Sequence, residues 1–327
     1  MTENHESATV AVTGAAGYVG SRVVETLRTA HPGWEVRALT YHGWDGYGVD
    51  TNGVDTTVDV RDRSQVDTAL DGADVVVHLA AVSGVQNCEE NPTLAYEVNV
   101  QGTNHVAWFC RRHETALVFP FSMAVLGTPE EFPITVESPR TPMNWYGRTK
   151  VIGVRAVETF APDAFPAHLF LKSNVYGEHV VDGNRISKPT VINFFVDRAI
   201  SGDSIPVYEP GTQARDYVHV HDVGDAYRRS VERLLAERAT GRTGTEGYEI
   251  ASGEQMGVHE IAELVQETVA DETGTAPDIE LVENPRGNET LATEFPVDTS
   301  TAEAELGWRP TRSVRDAVES LVRRKTS

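Results

Sequence analysis

Two rhythms of apolar positions alternate along the chain. Compact apolar runs that stop abruptly at small or polar residues occupy 9–13, 34–40, 56–60, 74–81, 116–122 and 168–172, and they read as strands. Between them, apolar residues recur at helical spacing over 21–30, 91–113 and 144–160. The run at 74–81 leaves neither face of the strand for water, as a strand buried on both sides of a parallel sheet must. His78 inside it reads as a packing residue, because nothing nearby has the spacing of metal ligands. Strands separated by helices predict a doubly wound parallel sheet with helices on both faces. Beyond residue 172 the alternation changes, so the chain divides into a first domain, 1–172, and a smaller lobe, 173–327, with some segments returning to the first domain.

One junction carries a ligand signal. Gly14, Gly17 and Gly20 lie between the first strand and the first helix in a G-x-x-G-x-x-G spacing. Glycines there let the chain turn tightly and let a pyrophosphate approach the free N–H groups at the helix start. Alone, such a turn is equally a tight bend; opening a strand–helix–strand unit, it reads as a dinucleotide site of Rossmann type. Tyr146 and Lys150 then stand four positions apart on the 144–160 helix and share a face, and Ser122 ends the strand before it. An ammonium one turn away favours phenolate, so the tyrosine is expected below its ordinary value of about 10. Such a group takes a proton from an alcohol while hydride leaves the same carbon. At the end of the second strand, where a dinucleotide enzyme distinguishes its cofactors, Thr40, Tyr41 and His42 supply neither the acid that bonds a ribose nor the base that accepts a 2′-phosphate.

Composition narrows the partners. The 49 acidic residues against 28 basic ones give a formal charge of −21, which excludes nucleic acid and anionic membranes as partners. Only four residues are lysine: Lys150, Lys172, Lys188 and Lys325. Acid surplus and scarce lysine predict a protein adapted to a salt-rich cytoplasm; greater thermal stability in dilute buffer than in molar potassium chloride would overturn this. Cys88 and Cys110 are too few for a disulfide framework or a zinc site, so no metal is expected. No apolar run approaches membrane-spanning length, and a soluble cytoplasmic protein is expected.

At the glycine turn, at Ser122 and at Tyr146-Gly147-Arg148-Thr149-Lys150, the sequence resembles the extended short-chain dehydrogenase/reductase family, in its nucleotide-sugar epimerase and dehydratase branch. The resemblance runs from Thr9 to about Val322 and implies NAD as cofactor, with NADP open, and a nucleotide sugar as substrate. It implies Ser122, Tyr146 and Lys150 as catalytic residues. Implied cofactor contacts are Gly14, Gly17, Tyr18, Val19 and Gly20 at the turn, Thr40, Asp59 and Val60 around the adenosine, and Leu79, Ala80 and Ala81 along the ribose and diphosphate. Asn99 supports the strand ends, and Val175 covers the nicotinamide. On the substrate side it implies Ser83 and Asn174, Val207 and Tyr208 at the base, Arg215 and Arg286 on the diphosphate, and Glu289 on a ribose hydroxyl. A guanidinium suits such a place because its fork bonds phosphate oxygens in pairs.

Departures from the family pattern inform the reaction. Met123 and Ala124 stand where dehydrating relatives place an Asp-Glu pair and decarboxylating relatives a glutamate, so both chemistries are disfavoured. Leu126 replaces a usual tyrosine. Trp145 is either a wall of the sugar pocket or core packing, and Asp62 either caps a helix or flanks the adenine. The resemblance therefore implies a nucleotide-hexose 4-epimerase, most simply on a UDP-hexose, acting through a transient 4-keto sugar. It also implies a homodimer through the helices at 91–113 and 144–160. The alternatives are a sugar dehydrogenase or keto-sugar reductase with net redox turnover, and a dinucleotide sensor without turnover.

Overall fold

The computed structural model describes residues 7–41, 55–285, 287 and 289–326. The first part runs β1 (Thr9–Thr13), α1 (Tyr18–Ala30), β2 (Glu35–Thr40), β3 (Asp55–Thr57), α2 (Arg63–Leu70), β4 (Val75–His78), α3 (Val85–Glu90), α4 (Pro92–Tyr96), α5 (Thr103–His113), β5 (Ala116–Ser122), α6 (Trp145–Phe160) and β6 (Pro166–Lys172). The second runs β7 (Asn174–Tyr176), β8 (His179–Val181), β9 (Asn184–Ile186), α7 (Val191–Ile200), β10 (Ile205–Tyr208), β11 (Ala214–His219) and α8 (Val220–Ala239). It closes with β12 (Gly244–Ile250), β13 (Gln255–Gly257), α9 (Val258–Thr273), β14 (Ile279–Val282), α10 (Ser300–Leu306) and α11 (Val314–Thr326).

Seven strands form one parallel sheet in the order β12-β6-β5-β4-β1-β2-β3. The winding reverses between β1 and β4, and at such a switch point a crevice opens beyond the carboxyl ends of the strands. Alternate residues of one strand enter opposite cores, which is why these strands read as unbroken apolar runs. Val10, Val12, Val75 and Val77 pack with Leu27, Val223 and Tyr227 under α1 and α8. Ala11, Val76, Leu117 and Phe119 pack with Val106, Phe109, Val154 and Val157 under α5 and α6. Burying each such side chain stabilises the fold by roughly 1.5–3 kcal/mol, more than any surface ion pair contributes.

Three elements differ from the sequence reading. The strand read at 56–60 is β3, Asp55–Thr57, and 58–60 lead on to α2 without strand structure. The strand read at 74–81 ends at His78, and Leu79, Ala80 and Ala81 continue half-buried along the crevice without strand pairing. The helix read at 91–113 is interrupted: Glu97–Gly102 is π-helical, between α4 and α5. The wider turn swings Asn99 inward, and single π-turns of this kind concentrate at functional sites. The hydrophobic period does not reveal such a turn, since the residues before and after it still alternate helically.

His78 is buried and its ring nitrogens meet Thr13 Oγ1 at 2.8 Å and Thr103 Oγ1 at 3.1 Å. Burial pushes its imidazole down to about 3, so it packs as a neutral ring.

The smaller lobe holds a third core of Phe195, Val207, Ile261, Val265 and Leu321 between α7, α9 and α11. The chain enters it directly from β6, and Ser173 Oγ donates to the Asp216 carbonyl at 2.6 Å, so no slack linker separates the lobes. After β11 the chain returns: α8 covers the large sheet and β12 joins its edge beside β6. Trp308 is buried against α8 and donates Nε1–H to the Asp222 carbonyl at 2.8 Å. Among the described residues, no helix is long and apolar enough to cross a membrane.

Candidate active site

The glycine turn has a separate reason for each glycine. Gly14 has φ +68°, and a Cβ there would sit 2.6 Å from the Ala80 nitrogen and 2.7 Å from the Leu79 carbonyl carbon. A Cβ on Gly20 would overlap the Gly14 carbonyl. Both are packing glycines that press helix onto strand. Gly17 differs, because a Cβ there would meet only the Gly14 oxygen, at 3.1 Å. It is the N-cap of α1, with no side-chain cap and no acid in the first turn. Tyr18, Val19 and Gly20 follow as the first three helical positions, whose N–H groups have no acceptor within the helix. An uncapped helix start free of carboxylates and flanked by a side-chain-free Gly17 fits a diphosphate. The Tyr18 phenol turns away from this cradle and donates to the Gly177 carbonyl at 2.7 Å, tying α1 to the smaller lobe.

At the adenosine end a group appears that sequence reasoning missed. Arg61 donates to both carboxylate oxygens of Asp59 at 2.7–3.0 Å, to Glu97 at 3.2 Å and to the Tyr41 hydroxyl at 2.9 Å. Arg61 holds the Asp59 carboxyl below its ordinary value. With two carboxylates on it, this guanidinium has little charge to offer a 2′-phosphate, so the end of β2 fits NAD better than NADP. Val60 is buried, Thr40 is buried, and Asp62 caps α2 by accepting from Ser64 N and Gln65 N. His42 lies outside the described residues.

The catalytic set comes together at the carboxyl edge. β5 delivers Ser122, whose hydroxyl accepts from Ala124 N at 3.3 Å and lies near enough to Tyr146 to favour its charged form. α6 starts at an Asn144 N-cap that accepts from Gly147 N at 2.9 Å, so Pro142 lies before the helix and the Asn144 side chain fixes where it begins. Lys150, one turn on, is buried, approaches the Pro120 carbonyl at 3.5 Å and lies 5.1 Å from the Phe119 ring centre. Asn99 accepts from Val82 N at 2.8 Å and donates to Val82 O at 3.0 Å and to Thr149 Oγ1 at 3.1 Å. Thr149 in turn donates to the Tyr146 carbonyl at 2.8 Å, so the π-turn locks the crevice wall to the catalytic helix.

The electrostatics correct the sequence expectation. Tyr146 is pushed up to about 12, by burial first and by Cys88 second, with the Ser122 hydrogen bond pulling it down. Burial brings Lys150 down to about 8. The helical spacing puts the two residues on one face of α6, but the ammonium is not among the groups that shift Tyr146, and desolvation of the phenolate dominates.

On the substrate side, Ser83 Oγ accepts from Lys188 Nζ at 3.2 Å, and Asn174 is exposed to the cleft with its carboxamide on the Asp216 carbonyl at 3.1 Å. Arg215 donates to the carbonyls of Ala214 and Thr290 at 2.7 and 2.5 Å and lies over the Phe295 ring, with Glu289 near enough to favour its charge. Tyr208 is half-buried; Val207 is wholly buried, so any contact from it to a base would use its main chain. Arg286 lies outside the described residues. Trp145 donates Nε1–H to the Pro92 carbonyl at 3.0 Å, and its own N–H bonds Glu89 at 2.9 Å, which makes it a packing residue. Lys172 closes β6 in register with Ser122 and was missed by motif reasoning; its only sequence signal is that lysine is rare in this chain.

A parallel sheet with a glycine-lined helix start at its switch point, and a serine, tyrosine and lysine at the same edge, defines an extended short-chain dehydrogenase/reductase. The chain belongs to the NAD dependent epimerase/dehydratase family, whose model matches residues 10–242. It is 27% identical to a putative UDP-glucose 4-epimerase of Methanocaldococcus jannaschii over 96% of this chain and 97% of the relative. It is 30% identical to a UDP-glucose 4-epimerase of Streptomyces lividans over 92% of this chain and 91% of that protein. The solved UDP-glucose 4-epimerase of Thermus thermophilus in complex with NAD superposes with a TM-score of 0.78 at 25% identity, covering 96% of this chain and 98% of that one.

Proposed function

We propose that the protein is an NAD-dependent nucleotide-sugar 4-epimerase, acting on a UDP-linked hexose through a transient 4-keto sugar. The observation that carries this is the meeting of Ser122, at the end of β5, with Tyr146 and Lys150, one turn apart on α6, at the edge that the start of α1 also faces. The names of the relatives support the epimerase and its UDP-sugar, and Met123 and Ala124 after Ser122 supply no carboxylate for dehydration.

NAD, when bound, supplies a hydride acceptor that later returns the hydride, together with a cationic ring. The Tyr146 oxygen removes the C4 hydroxyl proton while the Ser122 hydroxyl holds the same oxygen. Lys150, protonated below about pH 8, keeps positive charge beside the phenol. After the ketone forms, the Tyr146 proton returns to the C4 oxygen, and Asn99 and Thr149 keep the wall and helix fixed throughout. Gly17, Tyr18 and Val19 would offer N–H groups to the cofactor diphosphate, Asp59 and Val60 would flank the adenosine, and Leu79, Ala80, Ala81 and Val175 would border the rest. Ser83, Asn174, Tyr208, Arg215, Arg286 and Glu289 would hold the nucleotide sugar.

On this reading, residues 1–172 bind the dinucleotide and 173–327 mainly the sugar nucleotide, with α8 and β12 serving the first domain. The two buried free cysteines fit a reducing cytoplasm. The exposed Leu94, Tyr96, Trp108 and Ile152 on α4, α5 and α6 support a homodimer, which sedimentation at micromolar concentration checks. The function is tested by incubating the NAD-loaded protein with a panel of UDP-linked sugars. Interconversion of C4 epimers without accumulating NADH is expected, and a continuing rise of the NADH band would replace epimerisation by net redox.

A further inference from the structure

Three of the four lysines in this chain lie around one cleft: Lys150 on the helix of Tyr146, Lys172 in register with Ser122 and Lys188 bonded to Ser83. Lys150 lies on α6. Lys172 ends β6, paired with Ser122 on one side and Ile250 on the other, so its side chain leaves the sheet on the face of Ser122. Lys188 lies between β9 and α7, where Thr190 N and Asn193 Nδ2 donate to its carbonyl at 2.7 and 2.9 Å, and its ammonium reaches Ser83 Oγ at 3.2 Å. Lys172 feels both other ammoniums, and with burial they push it down to about 7. Among the described residues, none of these three pairs with a carboxylate, whereas Lys325 bonds Glu178 and Asp197 at 2.6 Å.

Ammoniums without counter-ions are costly where Lys150 is buried and Lys172 half-buried, with Lys188 at the exposed rim, the more so in a chain with 49 acids that could have neutralised them. Lys150 is accounted for by Tyr146; Lys172 and Lys188 have no part in the proton transfer. The diphosphate does not account for them either. Lys172 pairs in register with Ser122 and Lys188 reaches Ser83, just beyond β4, whereas Arg215 is held on β11 by the Ala214 and Thr290 carbonyls, so the lysine pair belongs to the reacting end of the cleft. A neutral hexose offers nothing to satisfy two cations there. In a hexuronic acid the C6 carboxylate is attached to C5, next to the carbon whose hydroxyl Ser122 and Tyr146 hold. The flexible four-carbon stems of lysines can follow it when the ring turns over.

Building on the epimerase reading, we propose that Lys172 and Lys188 form a carboxylate subsite, and that the sugar this protein epimerises is a nucleotide-linked hexuronic acid. The NAD-loaded enzyme is assayed with UDP-glucuronate and UDP-glucose in parallel. Expected are a kcat/KM at least 100-fold higher for the uronate, a loss of at least 30-fold of that preference in Lys172→Met, carried by KM, and substantial rescue by Lys172→Arg. Lys188→Met, at an exposed side chain, gives the same direction and serves if Lys172→Met does not fold. Calorimetry at pH 8 in two buffers of different ionisation enthalpy reads proton uptake on binding the uronate and none with UDP-glucose. A wild type that prefers UDP-glucose, or variants that depress both sugars alike, overturns the subsite. If neither sugar is epimerised the function assigned above fails, while tighter calorimetric binding of the uronate, weakened in Lys188→Met, would still uphold the carboxylate subsite.

Discussion

The groups proposed to meet the cofactor diphosphate are main-chain: a left-handed Gly14, a side-chain-free Gly17 and the N–H groups that open α1. These come from one continuous stretch. The groups proposed for the sugar nucleotide are side chains, and each comes from a different segment: Ser83 after β4, Lys172 on β6, Asn174 on β7, Lys188 before α7 and Arg215 on β11. Backbone recognition serves any dinucleotide, so that half is generic. Side-chain recognition can change residue by residue without touching the fold, so substrate choice resides in the second half.

The contrast can be broken in steps of decreasing size. Tyr146→Phe, which serves neither half alone, is expected to lower kcat about 1,000-fold while NAD and UDP affinities stay within a few-fold; a fall of less than tenfold would remove the phenol from proton transfer. Gly14→Ala forces a Cβ into the Ala80 backbone at φ +68° and should cost about 3 kcal/mol in urea unfolding. NAD affinity should fall with it, and a stable variant that still binds NAD would show that the turn is not tightly determined.

Arg215→Lys keeps the charge but loses the fork. UDP affinity should drop roughly 10- to 30-fold in titration calorimetry with NAD affinity unchanged; equal losses for both ligands would erase the separation between the halves. A last test reads pH dependence. Lys172 titrates near 7 when folded and near 10.5 when unfolded, so between these values the unfolded chain binds more protons and stability rises with pH. In Lys172→Met that rise should flatten, the variant's advantage being greatest below pH 7 and gone above pH 10.5. Urea midpoints at pH 7 and 9.5 measure it, and parallel slopes would mean that Lys172 is well solvated.

Salient parts of the fold could be read before any coordinates. The strands β1 and β5 begin and end where the apolar runs do, because a strand buried on both faces excludes polar residues from every position. The π-turn at Asn99 could not be read, since the residue it bonds, Val82, lies on another segment of the chain. Likewise the glycines announced the phosphate turn, but nothing in the sequence marks Arg61, which the fold surrounds with Asp59, Glu97 and Tyr41.

The sequence by itself determined the parallel sheet, the helix start that faces an anion, and the pairing of Tyr146 with Lys150 on one helical face. Each follows from local geometry, namely side-chain alternation, glycine's freedom at positive φ, and the helical repeat. Only the tertiary structure decided the charge state of that pair and the gathering of Lys172 and Lys188 around it. Desolvation and Coulomb repulsion depend on what surrounds a group in space, and here the surroundings come from five separate stretches of chain.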